Sequence, residues 1–111
     1  MLEVYRRYLG ALTRLRPVLA AVERRDADLA RQCRRAASSV ALNLSEGSGS
    51  EGGTRRQRYL TALGSARETV ACVEVAVALG YLEEPAALLR ELGGVVGTLV
   101  VLAVGKGQRR R

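Results

Sequence analysis

RRAASSVALNLSEG, residues 34–47, describes a helix whose two sides cannot both face water. Extended back to Ala30 and Cys33, the residues Ala30, Cys33, Ala37, Val40 and Leu44 step by three and four and so share one helical face. That face is mostly small, which lets neighbouring helices come close. Arg31, Arg34, Arg35 and Glu46 fall away from it. Leu42 projects to the opposite side, among Ser38, Ser39 and Ser45 and not among long charged residues. Asn43 stands at the edge of the apolar face, where a buried amide needs partners. A helix that is apolar or small nearly all round is covered on two sides. The stretch therefore predicts the central helix of a bundle that also meets a second subunit.

Outward from it, three more seams appear. Tyr5, Tyr8, Leu12, Leu15, Leu19 and Val22 alternate by three and four, predicting a first helix over about residues 2–24. Pro17 interrupts it and predicts a kink, because it cannot donate to the carbonyl of Thr13. Asp26 or Asp28 is placed to cap the second helix, which the sequence ends at Gly47. GSGSEGG, residues 47–53, reads as a flexible connector; with no lysine after it and no strand before it, it is a poor phosphate loop. Thr54 is the expected cap of a third helix, whose seam is Tyr59, Leu63, Ala66, Val70, Val73 and Val77. Gly64, unfavourable in a helix by up to about 1 kcal/mol relative to Ala, predicts close approach of another helix. Glu84–Pro85 opens a fourth helix with the seam Leu88, Leu92, Val95, Leu99 and Leu102. From Val95 onward the apolar character spreads round that helix. This adds Val96, Val100 and Val104 to Leu42 as expected oligomer-interface residues. The fold class that follows is all-α, an antiparallel up-down-up-down four-helix bundle over residues 1–105, with crossings near about 20°. Residues 106–111 form a basic, flexible C-terminal tail.

Composition narrows the chemistry. At 111 residues the chain is one domain with room for a core but not for two. It has no Trp, Phe or His, so the core is aliphatic, and the usual general base and commonest metal ligand are both missing. Cys33 and Cys72 lie in apolar runs of separate helices and read as buried thiols in a reducing cytoplasm, not as a disulfide or a metal site. Arg6 and Arg7 interrupt the first apolar residues, unlike a signal peptide. The longest uncharged run, Leu92–Gly105, is shorter than the roughly 20 residues that span a bilayer. A cytoplasmic protein with no membrane partner is expected.

The candidate polar constellation is Arg35, Ser39, Asn43 and Glu46 along the second helix with Glu68 on the third. As an enzyme, Glu46 and Glu68 would be an acid–base pair, but no nucleophile, metal cluster or oxyanion site surrounds them. No catalytic residue, metal or cofactor is expected. The structural reading is a network that fixes register at a helix or subunit contact, with Arg35 the cation facing Asn43 and Glu68.

Charge points elsewhere. The net charge is +7, and all but one of the 18 cationic side chains is Arg. Residues 1–25 carry a net +4, residues 80–105 a net −2, and residues 106–111 four cations. Arg6, Arg7, Arg14, Arg16, Arg55, Arg56, Arg58, Lys106, Arg109, Arg110 and Arg111 are the candidate nucleic-acid contacts. Tyr5, Tyr8 and Tyr59 are the only aromatics near them, so phosphate contact and little base readout is expected. A GC-rich genome explains Arg over Lys equally well, but not the positive sum.

The same central stretch, with YLTALGSARETVACVEVAVALGYL (residues 59–82), resembles the 23S rRNA intervening-sequence protein family, also called four helix bundle proteins. The resemblance rests on Arg35, Ala37, Ser39, Asn43, Glu46, Gly47, Gly64, Ser65, Glu68, Gly80 and Tyr81. It covers roughly residues 28–82, with the first helix fitting loosely and the last helix and tail departing most. It implies the bundle and, through accessory proteins of diversity-generating retroelements, a ring-shaped homopentamer binding a reverse transcriptase and its RNA. Three functions stay open: an RNA- or nucleoprotein-binding accessory factor, a scaffold for a protein such as a reverse transcriptase, and an uncharacterised enzyme.

Overall fold

Each seam becomes a helix. The structure, a computed structural model, describes residues 2–105, and the predicted tail lies outside them. The helices are α1 (Glu3–Arg25), α2 (Ala27–Ser48), α3 (Gly52–Ala78) and α4 (Ala86–Ala103), with no strand among the described residues. Every helix packs on its neighbours in sequence and α4 returns to α1, which closes an antiparallel four-helix bundle. One end of the bundle gathers the starts of α1 and α3 with the ends of α2 and α4. The opposite end holds the two corners, α1–α2 and α3–α4.

The core is aliphatic, as the missing Trp and Phe require. The α2 seam is buried throughout, and Leu15, Leu44, Leu92 and Leu99 are its largest enclosed aliphatic side chains. On α1 the buried line is Val4, Tyr8, Ala11, Leu15, Val18 and Val22, with Tyr5, Leu12 and Leu19 half-buried beside it. The expected seam was thus centred slightly to one side. Tyr8 is fully buried and its hydroxyl donates to the Ala37 carbonyl at 2.7 Å, tying α1 to the small face of α2. On α4, Ala103 is buried and Leu102 is exposed. By length and a mean hydropathy of 1.7, α4 would suffice to cross a membrane. Here Leu88, Leu92, Val95 and Leu99 on that helix supply the core.

The helix ends correct three expectations. Asp26 caps α2 by accepting from the Leu29 amide at 3.0 Å, as expected. Gly47 does not stop α2: the helix runs on to Ser48, and Gly47 is buried against the ring of Tyr59. A Cβ there would lie 2.5 Å from Tyr59 Cε1, so the glycine is needed for close packing. The connector consequently shrinks to residues 49–51, because α3 starts at Gly52 and runs through Thr54. No side chain caps α3 at Glu51. Gly64 faces open space, with nothing within 4 Å of where its Cβ would be, and not a helix of its own chain. Pro17 is accommodated inside α1 without ending it.

At the corner end, Gly80 takes φ 80°, where the amide of Tyr81 bonds back to the Ala76 carbonyl at 2.9 Å and closes α3. Tyr81 then reaches the other corner: its hydroxyl donates to Asp26 Oδ2 at 3.1 Å, and Arg25 stacks 5.5 Å from its ring centroid.

Candidate functional site

The predicted polar residues gather along the outer edge of the α2–α3 contact. Ser65 on α3 donates to Ser39 Oγ on α2 at 2.8 Å. Asn43 Nδ2 donates to the Ser39 carbonyl at 2.9 Å and to Ser39 Oγ at 3.1 Å. One turn further, Arg58 Nη2 pairs with Glu46 Oε2 at 2.9 Å, and Nη1 lies 3.5 Å from Asn43 Oδ1. The row is therefore Ser65, Ser39, Asn43, Arg58 and Glu46. Arg58 takes the place expected of Arg35, and Glu68 makes no hydrogen bond or ion pair among the described residues. Ser65 and Arg58 were singled out for other reasons and not as members of this network. The signal that finds them is the connector: Ser39 and Ser65, and likewise Glu46 and Arg58, are mirror positions about Gly52.

Arg35 and Glu68 stand opposite one another beside that row. They form the walls of an open groove of about 420 Å3, lined also by Gln32, Ala36, Ser39 and Ser65. On the outer side of α2 a second, wider groove of about 500 Å3 runs past Arg31, Arg34, Arg35, Ser38, Ser39 and Leu42. Leu42 is 63% exposed, the most exposed of the large apolar side chains. Arg31 is paired with Asp28 and Arg34 with Glu23 at 3.0 Å, which leaves Arg35 as the α2 cation without an acid among the described residues. Val96, Val100 and Val104, expected with Leu42 at an oligomer contact, are half-buried and pack against the core of their own chain.

The candidate nucleic-acid contacts divide into two groups. Several already have protein partners. Arg14 Nε lies 3.2 Å from Glu91 Oε1, but its N–H is not aligned, so that buried oxygen accepts no hydrogen bond. Arg55 Nε donates to the Ser50 carbonyl at 2.8 Å, Arg56 Nε to the Ala103 carbonyl at 3.1 Å, and Arg58 belongs to the polar row. Arg6, Arg7 and Arg16 are exposed, with Arg7 lying over Gly94 on α4. Lys106, Arg109, Arg110 and Arg111 lie outside the described residues. Antiparallel packing nonetheless collects Arg6, Arg7, Arg55, Arg56 and Arg58 at one end. Glu3, Glu46 and Glu51 share that end, while the corner end carries Glu23, Asp26, Asp28, Glu83 and Glu84 against Arg24, Arg25 and Arg31.

The thiols are a core feature. Cys33 on α2 and Cys72 on α3 are both buried. Burial pushes the Cys33 thiol up to about 12 and raises Cys72 as well. Burial likewise raises the Tyr8 hydroxyl. These groups are protonated and unreactive at neutral pH. No group of three or more His, Cys, Asp or Glu stands together among the described residues.

None of the curated proteins matches the chain. A crystal structure from Bacteroides thetaiotaomicron VPI-5482, of a protein with unknown function from the S23 ribosomal protein family, shares the fold. Its TM-score is 0.80 at 16% identity, covering 91% of this chain and 98% of that one. The sequence model of the 23S rRNA-intervening sequence proteins matches residues 2–94, which takes in α1 to α3, the whole polar row and the start of α4, and the chain belongs to that family.

Proposed function

We propose that the protein is a non-catalytic accessory factor that assembles with copies of itself and binds RNA through the basic end of its bundle. The observation that carries the binding reading is the convergence of Arg6 and Arg7 with Arg55, Arg56 and Arg58 at the end from which the chain continues to Lys106–Arg111. The amino ends of α1 and α3 point the same way and have no side-chain cap at Leu2 or Glu51. Their free amides add partial positive charge there. Symmetric assembly would multiply that field and attract a polyanion. Binding is to phosphate, with little sequence preference, since few aromatics accompany the arginines.

The test is affinity for a structured RNA over a salt series, comparing the intact chain with a variant lacking residues 106–111 and with Arg6→Gln/Arg7→Gln. These two arginines are better probes than Arg55, Arg56 or Arg58, whose removal would also break bonds to the fold. Each lost phosphate contact should lower the slope of log K against log salt by about 0.7–0.9. Equally weak binding by all three proteins at low salt overturns the RNA reading. The second reading then takes over, a scaffold whose protein partner, such as a reverse transcriptase, docks on exposed Leu42.

A further inference from the structure

The α2–α3 contact holds two thiols that neither the polar row nor the basic end uses. Cys33 and Cys72 are 4% and 7% exposed, and both are free. The register of the two helices brings them together. Ser39 Oγ and Ser65 Oγ lie 2.8 Å apart, which fixes one level of the antiparallel pair. Cys33 is six residues back along α2 from that level, about 9 Å, and Cys72 seven residues on along α3, about 10.5 Å. They therefore stand within about 1.5 Å of the same height. Both belong to the one core that the helices enclose. Around them the seam is small, with Ala30, Ala36 and Ala37 on α2 and Ala66, Thr69 and Ala76 on α3. Small seams draw helix axes to the short end of the usual range of about 8–10 Å. Facing Cα atoms then come within the roughly 4.4–6.8 Å that a disulfide bridges. The side chains also act on one another: after burial, Cys72 is the strongest influence on the Cys33 thiol, and Cys33 acts on Cys72 in turn.

We propose that Cys33 and Cys72 are a latent redox pair, which a peroxide closes into an intrachain disulfide locking α2 to α3. The resting state is the dithiol, in keeping with two free cysteines. While the bundle is closed, burial keeps both thiols protonated and spares them. Parting the corners lets water and peroxide in and returns the thiols to ordinary acidity. Cys72, the more exposed of the two, reacts first. Its sulfur takes one oxygen as the peroxide O–O bond breaks, giving a sulfenic acid and one water. When the bundle recloses, the Cys33 sulfur attacks the Cys72 sulfur. The S–S bond forms and the oxygen leaves as a second water. Two hydrogens and two electrons thus pass from the pair to the peroxide, and nothing else is consumed. The bond joins the α1–α2 hairpin to the α3–α4 hairpin within one chain, on the side of the corners that Tyr81 and Asp26 already hold. Oxidation therefore locks the bundle against the opening that permitted it, and a thiol reductant releases it.

The experiment treats the full chain with hydrogen peroxide, in buffer and in urea just below the unfolding midpoint, and reads intact mass, free thiols and a peptide map. The expected product is a single chain lighter by two hydrogens, with no free thiol and with the peptides of Cys33 and Cys72 joined. It should form several-fold faster in urea, where the corners part. Its Tm should lie about 10 °C above that of the dithiol and return on reduction with dithiothreitol. Cys33→Ala and Cys72→Ala, each checked for helical circular dichroism, should lose the gain in Tm. Cys33→Ala should also accumulate a sulfenic acid at Cys72 that dimedone traps. Where a variant does not fold, the peptide map of the parent decides alone. Separate over-oxidation of the two cysteines with no joined peptide overturns the proposal, as does a disulfide that forms only between two chains. A dithiol that survives peroxide in both conditions overturns it as well. A joined product with an unchanged Tm overturns the lock.

Discussion

α2 and α4 both give one side to the core, but from different stock. The buried side of α2 is Ala30, Cys33, Ala36, Ala37, Val40, Leu44 and Gly47; that of α4 is Leu88, Leu92, Val95, Leu99 and Ala103. Small side chains bring α2 and α3 together most extensively, and the contact is pinned by hydroxyl, amide and carboxylate bonds in a fixed register. The α1–α4 contact is filled by larger aliphatic residues, and its ion pair, Arg14–Glu91, is half-exposed and leaves the buried Glu91 Oε1 without a hydrogen bond. A seam of small residues has no side-chain length with which to absorb an added atom, whereas a seam edged by long flexible chains does.

Two glycines break or uphold that contrast most sharply. An added Cβ at Gly47 meets the Tyr59 ring at 2.5 Å, and at Gly94 it meets Arg7 Nη2 at 2.8 Å. The Tyr59 ring is only 4% exposed and has nowhere to go, while the Arg7 guanidinium can swing into water. Gly47→Ala should cost about 1–3 kcal/mol, visible as several degrees in Tm. Gly94→Ala should be neutral, or stabilising by up to about 1 kcal/mol through helix propensity. Equal effects in thermal unfolding would mean that the two seams do not differ.

A smaller effect comes from the thiols shared by α2 and α3. In the unfolded chain Cys33 titrates near its ordinary 9.0, whereas burial in the fold raises it to about 12. The native state therefore holds its proton where the unfolded state loses it, and stability falls as pH rises. Urea midpoints should be flat up to about pH 9 and decline from there toward 12, with Cys33→Ala removing part of the decline. Tyr8 contributes in the same direction. A midpoint that stays flat across that window and is unchanged by Cys33→Ala would show the thiol to be exposed. The smallest effect belongs to the α1–α4 ion pair: Arg14→Ala should change stability by less than about 0.5 kcal/mol in the same urea titration.

Periodicity made the four helices and their order legible, because burial on one side is written directly into three-four spacing. It also found Ser39, Asn43 and Glu46, which share the α3-facing edge of α2. It could not say what lies across from them. Arg58 looked like part of a basic cluster, and only its mirror position about the connector reveals it as the partner of Glu46. Gly47 was misread as a helix stop, and Gly64 meets no helix of its own chain, for one reason. A glycine's spacing does not tell whether a ring or open solvent lies beyond it, and Gly47 has the ring while Gly64 has the solvent. The basic end was half legible. Its residues are visible as charges, but Arg55 and Arg56 also serve backbone carbonyls, which composition cannot register.

The Tyr81–Asp26 bond has a bearing on how copies of the chain exchange parts. The hairpins α1–α2 and α3–α4 are joined covalently by the short connector 49–51. A short link of this kind invites domain swapping, in which one copy's hairpin extends away and fills its neighbour's bundle. Such an exchange must first part the two corners, which Tyr81 holds together through Asp26 and Arg25. Asp26 also caps α2, so releasing the corner loosens the start of that helix as well. The corner tyrosine thus favours each bundle being closed by its own second hairpin.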